Sequence, residues 1–326
     1  MRILLVRWGV GALCLLGGFA AAQVPALAQS YPSRSIRMIV PFPAGGPLDI
    51  AARSVAEKLS ASLKQNVIVE NRPGAAGNLG GDLVAKAAPD GHTLLATLST
   101  ALTVNPSLYK AMPFNPQRDL RPISILTSNS QTLVVHPSVP VNSVKEFVAL
   151  ASKEPVSYAH AGHGSPGHLV MEYFRLKAGF KTSPVPYKGN APLVNDLVAG
   201  HIKFGFVATA GVLPHVTAGR LKALAISSAT RSALSPNVPT IAESGYPDFS
   251  METYFVLAAP AGLPDPIAAL LEREVQTALK APDLDARWRK IDMVPVGTPG
   301  AAASARIKAD LELWAGVVKA ANMQVQ

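Results

Sequence analysis

The chain has 326 residues, of which 48% are hydrophobic and 16% charged, a balance opposite to that of a disordered protein and enough for two domains with sizeable cores. The net charge is +9, but the Lys and Arg residues are scattered singly, with no run of five and no interleaved aromatics, so nucleic acid is excluded as the main partner. Gly and Pro number 25 and 28 without a short period, which excludes collagen and implies many tight loops.

Arg2 and Arg7 precede an apolar run from Val10 to Ala22, and Ala26-Leu27-Ala28 follows. A basic start, a short apolar run and a small-x-small cleavage site predict that residues 1–28 are an export signal, removed after Ala28, with Ala22 as the alternative point. The run is too short for a membrane span, and no later run reaches that length. Cys14 is the only cysteine and lies inside this leader; Leu13 before it makes a poor lipoprotein acceptor. The exported chain therefore needs no disulfide and uses neither a cysteine nucleophile nor a cysteine-ligated metal. Without Arg2 and Arg7 the net charge of +9 becomes +7, which suits an exported partner of anionic solutes or surfaces.

The first stretch alternates strands and helices. Ile36–Val40 reads as a buried strand, and Ile50, Ala51, Val55 and Leu59 recur at helical spacing after a Pro/Gly loop. Val67–Val69, a helix from Gly80 to Ala88 and a strand from His92 to Thr97 complete a βαβαβ unit, which implies a parallel sheet covered by helices. The middle stretch repeats the rhythm. Leu133–Val135 is a strand, Ser143-Val144-Lys145-Glu146 a capping box, and Val156–Tyr158 a strand before a glycine loop and a helix from His168 to Ala178. Val185–Tyr187, a helix from Pro192 to Ala199, and strands at Lys203–Val207 and Leu221–Ile226 follow. Tyr254–Leu257 is a further strand. Asp265-Pro266 and Thr298-Pro299 each read as an N-cap with proline at the first helical position. Extended segments at 128–131 and 249–252 suit two crossings, predicting a discontinuous first domain of residues 30–128 plus 252–326, with residues 129–251 inserted as the second. A small ligand then sits between them.

Two loops join a strand end to a helix start, where open α/β sheets bind ligands. In Phe42-Pro43-Ala44-Gly45-Gly46-Pro47-Leu48-Asp49 the glycines admit close backbone approach and the helix start offers N–H groups to an anion; the competing reading is a plain turn capped by Asp49. Gly162-His163-Gly164-Ser165-Pro166-Gly167-His168 matches G-x-G-x-x-G, but the next strand ends Pro186-Tyr187-Lys188-Gly189 without the acid that a dinucleotide ribose needs. A serine-hydrolase elbow fails as well. G-x-S-x-G is broken by His163, and Pro166 lacks the N–H that would complete an oxyanion hole. Histidines 160, 163 and 168 with Glu172 are types that bind zinc, yet they are split between loop and helix without H-E-x-x-H, so neither a metal nor any cofactor is expected. Ser99, Thr100 and Ser128 lie at strand ends where a hydroxyl can orient a carboxylate, Lys188 offers a cation, and Asp49 offers a partner for an amino-acid ammonium.

Together these segments resemble the tripartite tricarboxylate transporter receptor family, also called the Bug family of periplasmic solute-binding proteins. Tyr31-Pro32 before Ile39-Val40-Pro41-Phe42, Gly45-Gly46-x-x-Asp49, Val69-Glu70-Asn71-Arg72-Pro73-Gly74, Asp90-Gly91-His92-Thr93-Leu94, Gly164-Ser165-x-x-His168-Leu169 and Val238-Pro239-Thr240-Ile241-Ala242-Glu243-Ser244-Gly245 carry the likeness in order. The resemblance implies an α/β, type II periplasmic binding protein fold with two domains, two crossovers and a cleft that closes on its ligand. It also implies non-enzymatic capture of a small organic acid or amino acid, delivered to the membrane permease subunits of a tripartite transporter. Ligand-binding residues are then expected at Phe42, Pro43, Ala44, Gly45, Gly46, Asp49, Ser99, Thr100, Ser128, Gly162, Gly164, Ser165, His168 and Lys188. One departure is Ile202-Lys203, where the family commonly has Val-Asp. A sensor partner of a membrane signalling protein and an exported Ser165 hydrolase are the alternatives.

Overall fold

The computed structural model describes residues 31–323. The segment expected to be an export signal, residues 1–28, lies outside the described residues. Among those described, no helix is long and apolar enough to cross a membrane.

In chain order, β1 (Ile36–Val40), α1 (Pro47–Leu63), β2 (Val67–Asn71), α2 (Asn78–Ala85) and β3 (Thr93–Leu98) form the expected parallel unit. Three short helices follow, α3 (Ser99–Thr103), α4 (Asn105–Leu108) and α5 (Pro116–Asp119), and then the ten-residue strand β4 (Leu120–Asn129). The middle stretch holds β5 (Gln131–Val135), α6 (Val144–Lys153), β6 (Val156–His160), α7 (Pro166–Ala178), β7 (Thr182–Pro186), α8 (Asn190–Ala199), β8 (Phe204–Ala208), α9 (Thr209–Thr217) and β9 (Lys222–Ile226). The chain ends with β10 (Thr253–Pro260), α10 (Asp265–Leu279), α11 (Pro282–Arg289), β11 (Val294–Pro299) and α12 (Gly300–Ala320).

The strands make two sheets. One runs β11-β4-β10-β3-β1-β2, the other β7-β6-β8-β5-β9. Leaving out the edge strand β11, the orders match. In each sheet the first three local strands are parallel neighbours, and one strand arriving from the other part of the chain, β10 or β5, lies antiparallel between the third and the fourth. The likeness between the two stretches is thus one of topology. In β1, Ile36, Met38, Ile39 and Val40 are fully buried, as in a central parallel strand covered on both faces, and only the half-buried Arg37, paired with Glu70, interrupts the apolar run. The second sheet packs on an aromatic cluster in which Phe147 stands edge-on to Phe180 and Phe204 at 5.4 and 5.3 Å between centroids.

Between Asn129 and Gln131, and again between residues 226 and 253, the chain passes from one sheet to the other. Ser227 ties these passages together. Its Oγ accepts from Gln131 N (3.0 Å) and donates to Met251 O (2.6 Å), while Met251 N donates to Ser227 O (2.7 Å).

Some boundaries differ from the sequence reading. The capping box at Ser143 forms, with Glu146 N donating to Ser143 Oγ at 3.2 Å, but Glu146 accepts in return from Asn142 N. Thr298 is not the N-cap: Thr298-Pro299 ends β11, Pro299 takes the cap position, and α12 starts at Gly300, whose N–H is accepted by Glu272 Oε2 (2.8 Å). Asp265 is the first residue of α10, and Pro264 takes the cap position. β4 is far longer than the extended segment expected at 128–131. Pro122 and the polar Arg121, Ser124 and Thr127 disguise it, and its pairing with β10 shifts register twice.

Candidate functional site

The loop after β1 turns into α1 with Gly45 at φ +82°, a left-handed conformation that favours glycine. Gly46 caps the helix without a side-chain bond and proline occupies its first turn, so the N–H groups of Leu48 and Asp49 have no intrahelical acceptor. Asp49 secures this loop from inside. Its Oδ2 accepts from Gly45 N and Arg53 Nε, both at 2.9 Å, and its Oδ1 from Asn71 Nδ2 at 2.9 Å. Arg53 Nη2 also donates to Asn71 Oδ1 (2.9 Å), and Asn71 Nδ2 to Phe42 O (3.0 Å). Burial alone would raise the Asp49 carboxyl, but the Arg53, Gly45 and Asn71 donors together hold it below its ordinary value. Both carboxylate oxygens are engaged, so Asp49 is a clamp on the loop and not a seat for a ligand ammonium.

The loop after β6 repeats the plan with neutral groups. Ser165 N donates to Gly162 O (3.1 Å), Gly164 N to His168 Nδ1 (3.1 Å), and His160 Nδ1 meets Gly162 O at 2.9 Å. Gly164 sits at φ +73°, and a Cβ there would approach Leu108 Cδ1 to 2.7 Å. Ser165 caps α7 without a side-chain bond, Pro166 fills the first turn, and the buried Ser165 Oγ has no partner. Burial and the neighbouring His160 and His163 rings press His168 down to about 3; burial lowers His160 as well. A third helix, α8, has Gly189 (φ +103°) at its N-cap, again without a side-chain bond.

These helix starts share one cleft of about 630 Å³. Residues 42–49 line it from the first sheet, Ala161, Ser165, Pro166 and Gly167 from the second, and Gly189 and Asn190 at the start of α8. Leu98, Phe206, Phe255 and Ala208 supply apolar wall, and Asn129, Gln131 and Thr253 supply polar groups. Asn129 Oδ1 and Thr253 Oγ1 are buried without partners, like Ser165 Oγ. Among the described residues, no Lys or Arg lines this cleft.

Of the residues expected from sequence, Phe42, Pro43, Ala44, Gly45, Gly46, Asp49 and Ser165 line the cleft. Ser99 does not, because its buried Oγ accepts from Tyr254 N (3.3 Å) inside the sheet, and Thr100 is buried beside it in α3. Ser128 is turned away by strand alternation. It donates to Glu252 Oε1 (3.2 Å) on the far side with Ser130, whereas Asn129 and Gln131 face the cleft. Gly162, Gly164 and His168 shape the second loop from behind, through the three bonds just described. Lys188 is exposed, and the next residues, Gly189 and Asn190, reach the cleft in its place. Glu172 is equally occupied: Tyr158 Oη donates to it at 2.8 Å and Arg175 Nε at 2.5 Å. Lys203 precedes β8, at the end opposite to the cleft-lining Ala208, so the Ile202-Lys203 departure lies away from the site. Thr253 was missed; Asn129 and Gln131 stand in the same polar cluster as Ser128 at the crossing, and strand alternation was the signal that could have chosen them over Ser128.

Comparison with known proteins agrees with this architecture. The family model described as "Tripartite tricarboxylate transporter family receptor" matches residues 51–323. Protein BugT of Bordetella pertussis is 38% identical over 313 residues, 95% of either chain. The solved structure of Rpa4515 from R. palustris with adipate has a TM-score of 0.79 at 30% identity, covering 90% of this chain and 100% of that one. MatC from Rhodopseudomonas palustris with bound malate gives 0.74 at 28% identity, over 88% and 100% of the two chains. The two like-ordered sheets are the type II periplasmic binding protein fold. With its match to the family model covering most of its length, this chain belongs to the tripartite tricarboxylate transporter receptor family.

Proposed function

We propose that this protein is an exported, periplasmic receptor for a small organic dicarboxylate, which it hands to the membrane permease of a tripartite transporter. The observation that carries the reading is the convergence of three uncapped helix starts, α1, α7 and α8, and the unpartnered Ser165 hydroxyl on a cleft without a lysine or arginine wall. Peptide N–H groups and helix dipoles bind an anion without a buried countercharge, and charge-assisted bonds of this kind are stronger than neutral ones. The apolar wall of Leu98, Phe206 and Phe255 suits a short methylene chain, and Asn129, Gln131 and Thr253 suit a polar far end. A volume of about 630 Å³ holds such an acid with bridging waters. Adipate and malate, the acids in two solved relatives, are of this class.

Residues 30–128 plus 252–326 act as one lobe and residues 129–251 as the other. An open form first takes the carboxylate on one loop. Closure about the Ser227-linked crossings then brings the second loop's donors to it and expels water. No chemistry on the bound acid is needed. Ser165 has no base on its hydroxyl: His168 Nδ1 is taken by the Gly164 amide, and Pro166 cannot complete an oxyanion hole.

The test is thermal unfolding of ligand-stripped protein against mono-, di- and tricarboxylates and amino acids. A cognate dicarboxylate at 100 times its Kd adds about 2.7 kcal/mol and raises the melting temperature by several degrees. If amino acids outrank plain acids, or no acid shifts the transition, the reading is lost.

A further inference from the structure

Three histidines that the sequence divides between strand, loop and helix meet behind the second cleft loop. His160 ends β6, His163 sits between Gly162 and Gly164, and His168 is in the first turn of α7. One ring nitrogen of each lies within 4.8 Å of the other two. The His160 and His168 rings stack at 4.2 Å between centroids, and His163 approaches them at 5.3 and 5.6 Å. His160 is fully buried. Its Nδ1 is engaged by Gly162 O, and its Nε2 is buried with no hydrogen-bond partner. A buried ring nitrogen left unpaired is costly unless something occupies its lone pair.

We propose that His160, His163 and His168 form a binding site for a divalent transition metal of the zinc, nickel, cobalt and copper class. Three imidazoles without a carboxylate select this class over calcium and magnesium, which demand oxygen donors. The His160 Nδ1–H bonded to a backbone carbonyl is the usual second-shell arrangement that fixes a ligating tautomer. Metal–nitrogen bonds of about 2.0–2.1 Å bring the donors closer than they now stand. The exposed His163, flanked by glycines at φ +121° and +73°, is the ligand free to swing in. His168 must exchange either its bond from Gly164 N or its ring proton for the metal. A bound ion thus links β6 to α7 across the loop that carries Ser165 into the cleft. Solvent fills the remaining coordination position.

The site is tested without any organic acid, so its failure is separable from failure of the carboxylate reading. Tag-free protein treated with a chelator is titrated with cobalt(II) chloride and followed by visible absorption. One equivalent is expected to give ligand-field bands that zinc(II) displaces and magnesium(II) does not. His163→Ala removes an exposed side chain and spares the fold; it should weaken binding at least tenfold, and His201→Ala, an exposed histidine elsewhere, should not. The thermal transition should rise with cobalt in the wild type and not in His163→Ala. Absence of stoichiometric bands, or bands unchanged in a folded His163→Ala, overturns the assignment.

Discussion

The loop leading into α1 and the loop leading into α7 follow one plan, strand end, glycines, proline in the first helical turn, and they are secured by opposite means. The first is tied by a charged triangle, Asp49–Arg53–Asn71, that engages Gly45 N and Phe42 O and leaves no side-chain acceptor idle. The second is tied by a neutral imidazole and by its own backbone, and leaves Ser165 Oγ buried and unpaired. A charged clamp that is internally satisfied can sit at an anion site without repelling the anion, since Arg53 faces the Asp49 charge. The first loop therefore offers a ligand only peptide donors, while the second adds a hydroxyl. On the proposed reading, preorganisation comes from the first loop and side-chain discrimination from the second.

Backbone packing separates the loops most sharply. A Cβ at Gly167 would stand 2.1 Å from Phe206 O, a backbone atom that cannot step aside, whereas a Cβ at Gly46 would meet nothing nearer than Pro43 O at 3.7 Å. Gly167→Ala should lower unfolding free energy by about 3 kcal/mol in denaturant melts and abolish acid binding. Gly46→Ala should stay within about 0.5 kcal/mol of wild type. Equal effects at the two sites would erase the distinction between a wedged loop and an open one.

The charged clamp comes next. Asp49→Asn keeps the shape but sets an amide against the Gly45, Arg53 and Asn71 donors, and should cost about 1–2 kcal/mol. The same residue sets a pH dependence. Its folded carboxyl is held below the ordinary 3.8, so its contribution is complete above that value and is lost as pH falls through the lower folded one. Melting temperatures followed from about pH 5 down to about pH 2 should therefore fall less steeply in Asp49→Asn than in wild type. Ser165→Ala should leave this acid limb unaltered; a matching change there would mean that the clamp is not confined to the first loop.

Ser165→Ala tests the second loop's own contribution. Removing a buried hydroxyl with no partner should leave stability unchanged or slightly raised. Affinity for the acid that shifts the transition most should fall about five- to tenfold by calorimetry. A loss of stability with intact affinity would assign the hydroxyl to the fold.

The alternation of apolar runs with helical periods made both parallel units legible, because a strand buried on both faces reads as a continuous apolar run. β4 was hidden since its neighbours β10 and β11 tolerate proline and bulges, which local patterning scores against a strand. At the candidate site, the glycine-rich strand–helix turns were legible as turns that line a cleft, since glycine and proline spacing marks them in the chain itself. Side-chain orientation was not. Whether Ser128 or Asn129 faces the cleft depends on the pleat of a strand whose partners lie far along the chain, and whether Asp49 faces ligand or clamp depends on Asn71 across β2. Histidines 160, 163 and 168 were visible as a group, but their split between loop and helix, which carry no common period, spoke against a shared site, and only the fold brings one ring nitrogen of each within 4.8 Å of the others.

Lys188 separates attraction through water from contact in the cleft and carries the smallest expected effect. Its side chain is exposed, next to Tyr187, whose Oη donates to Asp196 (2.8 Å), and before Gly189, which reaches the cleft. A solvated ammonium attracts an anion only weakly and is screened within about 8 Å at physiological salt. Lys188→Ala should therefore weaken acid binding less than about threefold, and added salt should remove even that difference. Direct ligation of a carboxylate would instead lose tenfold or more on truncation and keep much of that loss at high salt, because a bond made inside the closed cleft is poorly screened. Calorimetry of the variant at low and high ionic strength distinguishes the two. The larger, salt-resistant loss would mean that closure carries α8 and Lys188 inward, so that the second lobe supplies a charge after all.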